Sequence, residues 1–326
     1  MDRERLDLQA YKGDKIMLDR AMEVISEVKN VIVGKDEVIE RVLMVFLAGG
    51  HILLEDVPGV GKTTLALAFS RAMNLDYRRI QFTSDTMASD VVGFSVYNRK
   101  TESFDYIPGA AFCNLLLGDE INRTSPRTQA ALLEVMEERK ATVDGVTRVL
   151  PDPFICIATQ NPLGSAGTQM LPDSQLDRFM VRLSMGYPSI QNQVDIVKNR
   201  SGTDPLDEVR QVVSTKDLLD MRGRVQDIFI ADDVIFHAAE LCEATRAHAD
   251  VAQGVSPRAV LSISQLAKAR AFLHQRDFVI PEDVRDLFVD ACCHRLILKA
   301  KAKVKNLTAE QVLGSVLDDI KAPAIV

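Results

Sequence analysis

Cysteine is scarce here and shows no pairing pattern. The 326 residues hold five: Cys113, Cys156, Cys242, Cys292 and Cys293. The count is odd, no CxxC occurs, and adjacent cysteines are poorly placed for an unstrained bridge. A disulfide framework is excluded, and a reducing compartment is implied. No apolar run is long enough to cross a bilayer. The opening segment, MDRERLDLQAYKGDK, contains no apolar signal stretch. The expectation is a cytoplasmic protein with no membrane insertion. A basic excess is missing too: 39 Lys and Arg stand against 46 Asp and Glu, for a net charge of −7. An acidic chain gains little from a polyphosphate backbone, so a nucleic-acid partner is not expected. The local exception, Lys299, Lys301, Lys303 and Lys305, reads as a solvated edge or helix end. Histidine is equally sparse. His51, His237, His248, His274 and His294 do not fall at ligand spacings, so they predict no metal centre. Tandem repeats and low-complexity segments are absent.

What is present is ordinary for a globular protein: 47% hydrophobic and 26% charged residues. The length suits two domains, or one large domain with an appendage. Helical spacing runs from Lys15 to about Val31 and from about Asp36 to Leu47. His51–Leu54 then reads as a short buried strand leading into a glycine-rich turn and an apolar helix. Further strands are predicted at Tyr77–Phe82, 113–117, Phe154–Thr159 and Phe179–Met185. Hairpins are predicted at about 91–108 and about 139–149, the second around the favoured turn pair Asp144-Gly145. Ser125 caps a helix to Glu138, with Pro126 at its first position. Strands alternating with helices predict an α/β fold with a parallel sheet covered on both faces. The pattern changes near Gly186-Tyr187-Pro188. The reading is a nucleotide-binding core over 1–190, a linker over 191–213 and a smaller all-helical domain over 214–326.

Gly59-Val60-Gly61-Lys62-Thr63-Thr64 carries the strongest chemistry. Glycines let backbone N–H groups close around phosphate oxygens where a Cβ would clash. The helix that starts there points its positive end at the same oxygens. Lys62 can reach the β- and γ-phosphates, and the Thr63 hydroxyl can ligate Mg²⁺. The generic GxxxxGK[ST] pattern wants glycine where this chain has Asp56. The strand before the loop and the helix after it are both in place, and that context is what confirms such a motif.

A second signal is Leu115-Leu116-Leu117-Gly118-Asp119-Glu120, an apolar strand ending in two carboxylates. Ligands of open α/β sheets bind at that end of the strands. Asp119 suits the cation, and Glu120 suits the general base that orients and polarises the attacking water. Asn161, after the next strand, fits either a contact to the γ-phosphate or attacking water or an Asn-Pro turn former. Arg178 fits either an arginine finger acting on another subunit's phosphate or a surface pair with Asp177 or Asp173. Arg258, at the start of a helix in the C-terminal domain, fits either a lid contact to the γ-phosphate or a solvated first-turn arginine.

The runs GGHILLEDVPGVGKTTLA, RIQFTSDTMASDVVG, NLLLGDEINRTSPRTQAALLEVMEER, ATQNP, LPDSQLDRF and GVSPRA stand in the order and spacing of the AAA+ ATPases. More closely, they resemble the MoxR family, from about Val31 to the C-terminus. The resemblance implies an AAA+ core with a helical lid, ATP and Mg²⁺ as cofactors, and ATP hydrolysis. It implies Asn161 as sensor 1, Arg178 as arginine finger, Arg258 as sensor 2, and Val33-Gly34 near the adenine. Arg123, Arg127 and Arg182 are alternative fingers. The hairpins would be a helix-2 insert and a pre-sensor-1 hairpin. The resemblance also implies a homo-oligomer, a hexameric ring with ATP at its interfaces. Such a ring would be a chaperone-like remodeller of a protein client, often a von Willebrand A domain partner. Two other readings remain: a nucleotide-gated binding switch without significant turnover, and a DNA-acting AAA+ motor.

Overall fold

The computed structural model describes residues 2–161, 171–199, 202 and 204–323, with side chains from Lys15 onward except that of Asn199. Pro162, expected to turn the chain after Asn161, lies outside them. The first half runs α1 (Asp2–Val31), α2 (Asp36–Ala48), β1 (Ile52–Glu55), α3 (Lys62–Ala72), β2 (Tyr77–Gln81), α4 (Ala88–Val92), β3 (Phe94–Asn98), β4 (Ser103–Ile107), β5 (Leu115–Asp119), α5 (Pro126–Glu138), β6 (Lys140–Val143), β7 (Val146–Val149), β8 (Ile155–Gln160), α6 (Asp173–Leu176) and β9 (Val181–Leu183). The second half runs α7 (Ile190–Asn199), α8 (Thr215–Gln226), α9 (Asp232–Ala247), β10 (Val251–Gln253), α10 (Pro257–Leu273), α11 (Pro281–Cys292), β11 (Ile297–Leu298), α12 (Ala300–Val304) and α13 (Ala309–Asp319).

Five strands form one parallel sheet in the order β2-β5-β8-β1-β9. Side chains alternate across it, as strand geometry requires. Ile52, Leu54, Leu115, Leu117, Ile155 and Ile157 enter one core. Leu53, Leu116, Cys156 and Ala158 enter the other. Both faces are buried, which explains why the strands read as apolar runs rather than as alternations. Because all five strands are parallel, their C-terminal ends share one edge of the sheet, and the loops that leave it meet there.

Local signals set the element ends. Gly49 at φ 75 stops α2 in a left-handed cap. The Ser125 hydroxyl accepts from the Thr128 N–H to start α5. Asp144 and Gly145, at φ 52 and 75, turn β6 into β7 with both central residues left-handed, as a two-residue hairpin demands. The strand expected at 113–117 instead begins at Leu115, because Cys113 is held in a turn by an N–H···O bond to Ala111. The insertion at 91–108 is the β3–β4 hairpin preceded by the short α4.

The larger core does not stop at the sheet. It continues through α8 to α11 and α13, so the helical domain packs directly on α1, α2 and the sheet's first face. Arg41 of α2 pairs with Asp286 at 2.8 Å and Asp290 at 3.2 Å on α11. Arg182 of β9 pairs with Glu55 at 2.9 Å and with Glu310 of α13. The segment expected as a linker, 191–213, is largely structured, with α7 and a 3-10 turn at Pro205–Glu208. The C-terminal domain, expected to be all helical, also carries the antiparallel pair β10–β11. The lysine run falls on and around α12, where Lys301 pairs with Asp250 at 3.6 Å. No helix among the described residues is long and apolar enough to cross a membrane.

Candidate functional site

Three loops leave the sheet edge together and enclose a cleft of about 420 Å³. The loop after β1 contributes Pro58, Gly59, Gly61, Lys62, Thr63 and Thr64. The end of β5 contributes Asp119 and Glu120, the end of β8 contributes Asn161, and β2 contributes Arg79 and Gln81.

The glycine loop has the shape its composition requires. Gly59 and Gly61 hold φ of 84 and 98, which a residue with a Cβ adopts only with strain. A Cβ built on Gly59 would meet nothing within 4 Å, so the loop there lies open toward the cleft. α3 starts at Lys62 and aims its N-terminus into the cleft. Lys62 Nζ donates to the carbonyls of Asp56 at 2.9 Å and Val57 at 3.3 Å, folded over its own loop. Burial lowers its pKa from the ordinary lysine value, opposed by Asp56, Asp119 and Glu120. Val60 turns the other way and packs on the core.

Asp56 stands where the generic motif has glycine, and the structure gives it a task. Its buried carboxylate accepts from the N–H of Met185 at 2.5 Å, the N–H of Gly186 at 3.1 Å and the hydroxyl of Ser184 at 3.0 Å. It thereby ties the phosphate loop to the chain leaving β9.

The acidic pair sits on a worked-out network. Asp119 accepts from Thr159 Oγ1 at 2.6 Å and from Arg79 at 2.7 Å. Glu120 accepts from Gln81 Nε2 at 2.9 Å and from Arg123 at 2.7 Å. The backbone of Glu120 is left-handed, φ 57 and ψ 48. Such strain in a non-glycine residue persists only where the surroundings impose it, and it clusters at functional positions. Asn161 lines the cleft while its carbonyl accepts from Asn122 Nδ2 at 3.3 Å.

The remaining sequence candidates lie elsewhere. Arg178 and Arg258 are not in this cleft. Both face Glu137 at the end of α5: Arg258 at 2.7 Å and Arg178 at 4.0 Å. Arg139 and Arg295 line the same 190 Å³ depression between sheet domain and helical domain. Asp177, weighed as a partner for Arg178, instead pairs with Arg295 at 2.9 Å and accepts from the Ser256 hydroxyl. Of the alternative arginines, Arg182 is committed to Glu55 and Glu310, Arg123 bonds Glu120, and Arg127 is exposed on the first turn of α5. Val33 and Gly34 form the turn between α1 and α2. A Cβ on Gly34 would collide with the Asn192 side chain, and Lys35 Nζ donates to the Tyr187 carbonyl at 3.0 Å. That turn therefore lies against the start of α7. Two buried histidines hold backbone in place: His51 bridges Met136 O and Cys156 N, and His294 contacts Phe179 O. No cluster of metal-ligating residues occurs among the described residues.

Sequence reasoning missed Arg79, Gln81, Thr159 and Glu137. The first two had a usable signal. Tyr77–Phe82 reads as a strand of the parallel sheet, and any such strand ends at the cleft edge.

Comparison with known proteins finds relatives along nearly the whole chain. Residues 51–181 match the ATPase family associated with various cellular activities (AAA), and residues 243–315 match an AAA lid domain. The chain is 42% identical to protein YeaC of Bacillus subtilis, over 96% of this chain and 98% of that one. It is 38% identical to chaperone MoxR1 of Mycobacterium tuberculosis, over 94% of this chain and 83% of that one. A crystallised candidate ATPase from Cytophaga hutchinsonii superposes with a TM-score of 0.91 at 34% identity, covering 98% of this chain and 100% of the other.

Proposed function

Because the chain belongs to the MoxR family of AAA ATPases and is itself an ATPase, we propose that it couples ATP hydrolysis to chaperone-like remodelling of a protein client. The observation that carries this reading is the convergence, in one cleft, of the Gly59–Thr64 loop with Asp119, Glu120 and Asn161. In this reading Gly59, Val60, Gly61, Lys62, Thr63 and Thr64 hold the phosphates through backbone N–H groups and the lysine. Val33 and Gly34 sit on the adenine side. Thr63 and Asp119 would hold Mg²⁺, whose chemistry is to neutralise charge on the β- and γ-phosphate oxygens. Both residues line the cleft, and their hard oxygen donors suit that ion. Glu120 takes the proton of the attacking water, and Asn161 positions that water or the γ-phosphate.

The separation of Arg178 and Arg258 from this cleft supports a ring, taken here as a hexamer. Both arginines lie on one face, converging on Glu137 rather than on their own subunit's Lys62. A neighbour's triphosphate presented to that face would complete the cation set a phosphoryl transfer needs. Exposed apolar side chains on the two hairpins, Phe104 at 72% and Val149 at 75%, suit contact with a protein client. Arg148 stacks on Tyr106 at 3.7 Å and joins those hairpins into one unit. Among clients, a von Willebrand A domain protein is the first to test, in the cytoplasm.

The test is a pull-down with Glu120→Gln loaded with ATP and Mg²⁺, paired with light scattering of the same sample. A ring-sized mass and a retained protein in the ATP state, both lost with ADP, are expected. A monomer in every nucleotide state would end the ring reading, and equal capture with ATP and ADP would end the coupling to a client.

A further inference from the structure

β8 ends in Thr159-Gln160, and Thr159 is fully buried, at 0% exposure. Its hydroxyl is fully engaged at the cleft edge. Oγ1 donates to Asp119 Oδ1 at 2.6 Å and accepts from the backbone N–H of Glu120 at 2.9 Å. A hydroxyl has one proton, and this one is given to the carboxylate.

Two consequences follow from those contacts. Asp119 has one oxygen, Oδ1, held inward by Thr159. The other, Oδ2, faces Arg79 on the cleft side. The carboxylate is therefore fixed about its own bond, with Oδ2 presented. Meanwhile the parallel pairing of β5 with β8 stops at Gly118 opposite Ala158. The chain then turns into the left-handed conformation of Glu120, whose N–H has left the ladder. An N–H outside the ladder still needs a partner, and Thr159 supplies it. One side chain thus fixes the rotamer of the first carboxylate and the backbone turn that throws the second toward the cleft. Valine would fill the same volume in this apolar strand, so packing alone gives no reason for the hydroxyl.

We propose that Thr159 is a positioning residue for the hydrolytic reaction, setting the cation-facing oxygen of Asp119 and the approach of Glu120 together. The proposal rests on the reading of Asp119 as cation ligand and Glu120 as base. Groups that orient metal ligands in this way change metal affinity or activity by about 10- to 100-fold when removed.

The test uses Thr159→Val, which keeps the shape and loses the hydroxyl, with Thr159→Ser as the conservative rescue. ATP affinity is measured by calorimetry with Mg²⁺ and with EDTA, beside kcat and KM. Thr159→Val is expected to bind ATP normally in EDTA and to lose most of the Mg²⁺-dependent gain in affinity. Its kcat should drop by about 10- to 100-fold, its KM for the Mg²⁺ complex of ATP should rise with the lost affinity, and Thr159→Ser should recover most of both. Should Thr159→Val not fold, Thr159→Cys, of similar size with a weak donor, is read against the same expectations. Retention of kcat and Mg²⁺ response in the valine variant would overturn the proposal, as would a serine variant as impaired as valine. Glu120→Gln run alongside separates the two levels: if it hydrolyses normally, the base assignment fails. If it is inactive while Thr159→Val is fully active, only the role of Thr159 fails.

Discussion

Arg258, in the first turn of α10, and Glu137, in the last turn of α5, meet at 2.7 Å across the junction of the two domains. Arg178 approaches the same carboxylate from the loop before β9. Two arginines that sequence order places 80 positions apart thus share one acidic partner, and neither touches the phosphate loop of its own chain. If Arg178 serves a neighbour's phosphate, Arg178→Ala and Lys62→Ala subunits are each inactive alone but complement each other when mixed. In an equimolar ring roughly a quarter of interfaces would pair an intact Lys62 with an intact Arg178. ATPase activity of the mixture at about that fraction is expected. Its absence from rings shown to be mixed would place Arg178 outside the reaction.

Glu120→Gln should leave ATP binding intact and lower kcat by about 100-fold or more, the range for loss of a general base. Single-turnover hydrolysis and calorimetry read the two quantities separately. A variant that turns over at the normal rate would move the base elsewhere in the cleft.

Asp56→Gly restores the generic phosphate-loop pattern, and the structure predicts harm rather than improvement. The carboxylate satisfies the N–H groups of Met185 and Gly186 and the hydroxyl of Ser184. Met185 is buried while Ser184 and Gly186 reach solvent, and orphaning one buried donor costs about 1–3 kcal/mol, so a loss in that range is expected. Thermal unfolding should show a melting point lower by several degrees. An unchanged melting point would mean that water replaces the carboxylate at no cost.

Burial pushes the carboxyl of Asp290 up to about 6, with Arg41 pulling it back down and Asp286 and Glu37 pushing it further up. A raised carboxyl pKa means the folded state binds the proton more readily than the unfolded chain. The cost of keeping Asp290 ionised is therefore fully present above about pH 6 and fades as pH falls toward the ordinary aspartate value. Asp290→Asn should gain stability relative to the parent by about 2–3 kcal/mol more at pH 8 than at pH 4. Denaturant unfolding at the two pH values reads the difference, and a gap of the opposite sign would show that the pair with Arg41 dominates.

Much of the architecture was legible because it follows from short-range rules. The buried strand, glycine turn and helix at 51–72 could be read from residues a few positions apart, since backbone φ and helix starts are local matters. The hairpin at Asp144-Gly145 and the cap at Ser125 were readable for the same reason. The limit of the strand at Leu115 was not, because a turn bond at Cys113, not side-chain pattern, sets it.

By itself the sequence determined that a triphosphate-binding loop and an acidic strand end would face one sheet edge, because parallel strands leave no other place for them. The tertiary structure alone decided which distant partners these and the other charged groups meet. Asp56 reaches Met185 across 129 positions, Thr159 reaches Asp119 across 40, and Arg258 reaches Glu137 across 121. No periodicity connects residues so far apart. Their meeting is set by how the sheet stacks and by a core that runs unbroken from β1 into the lid helices, so the partners of each charged group exist only once that packing is complete.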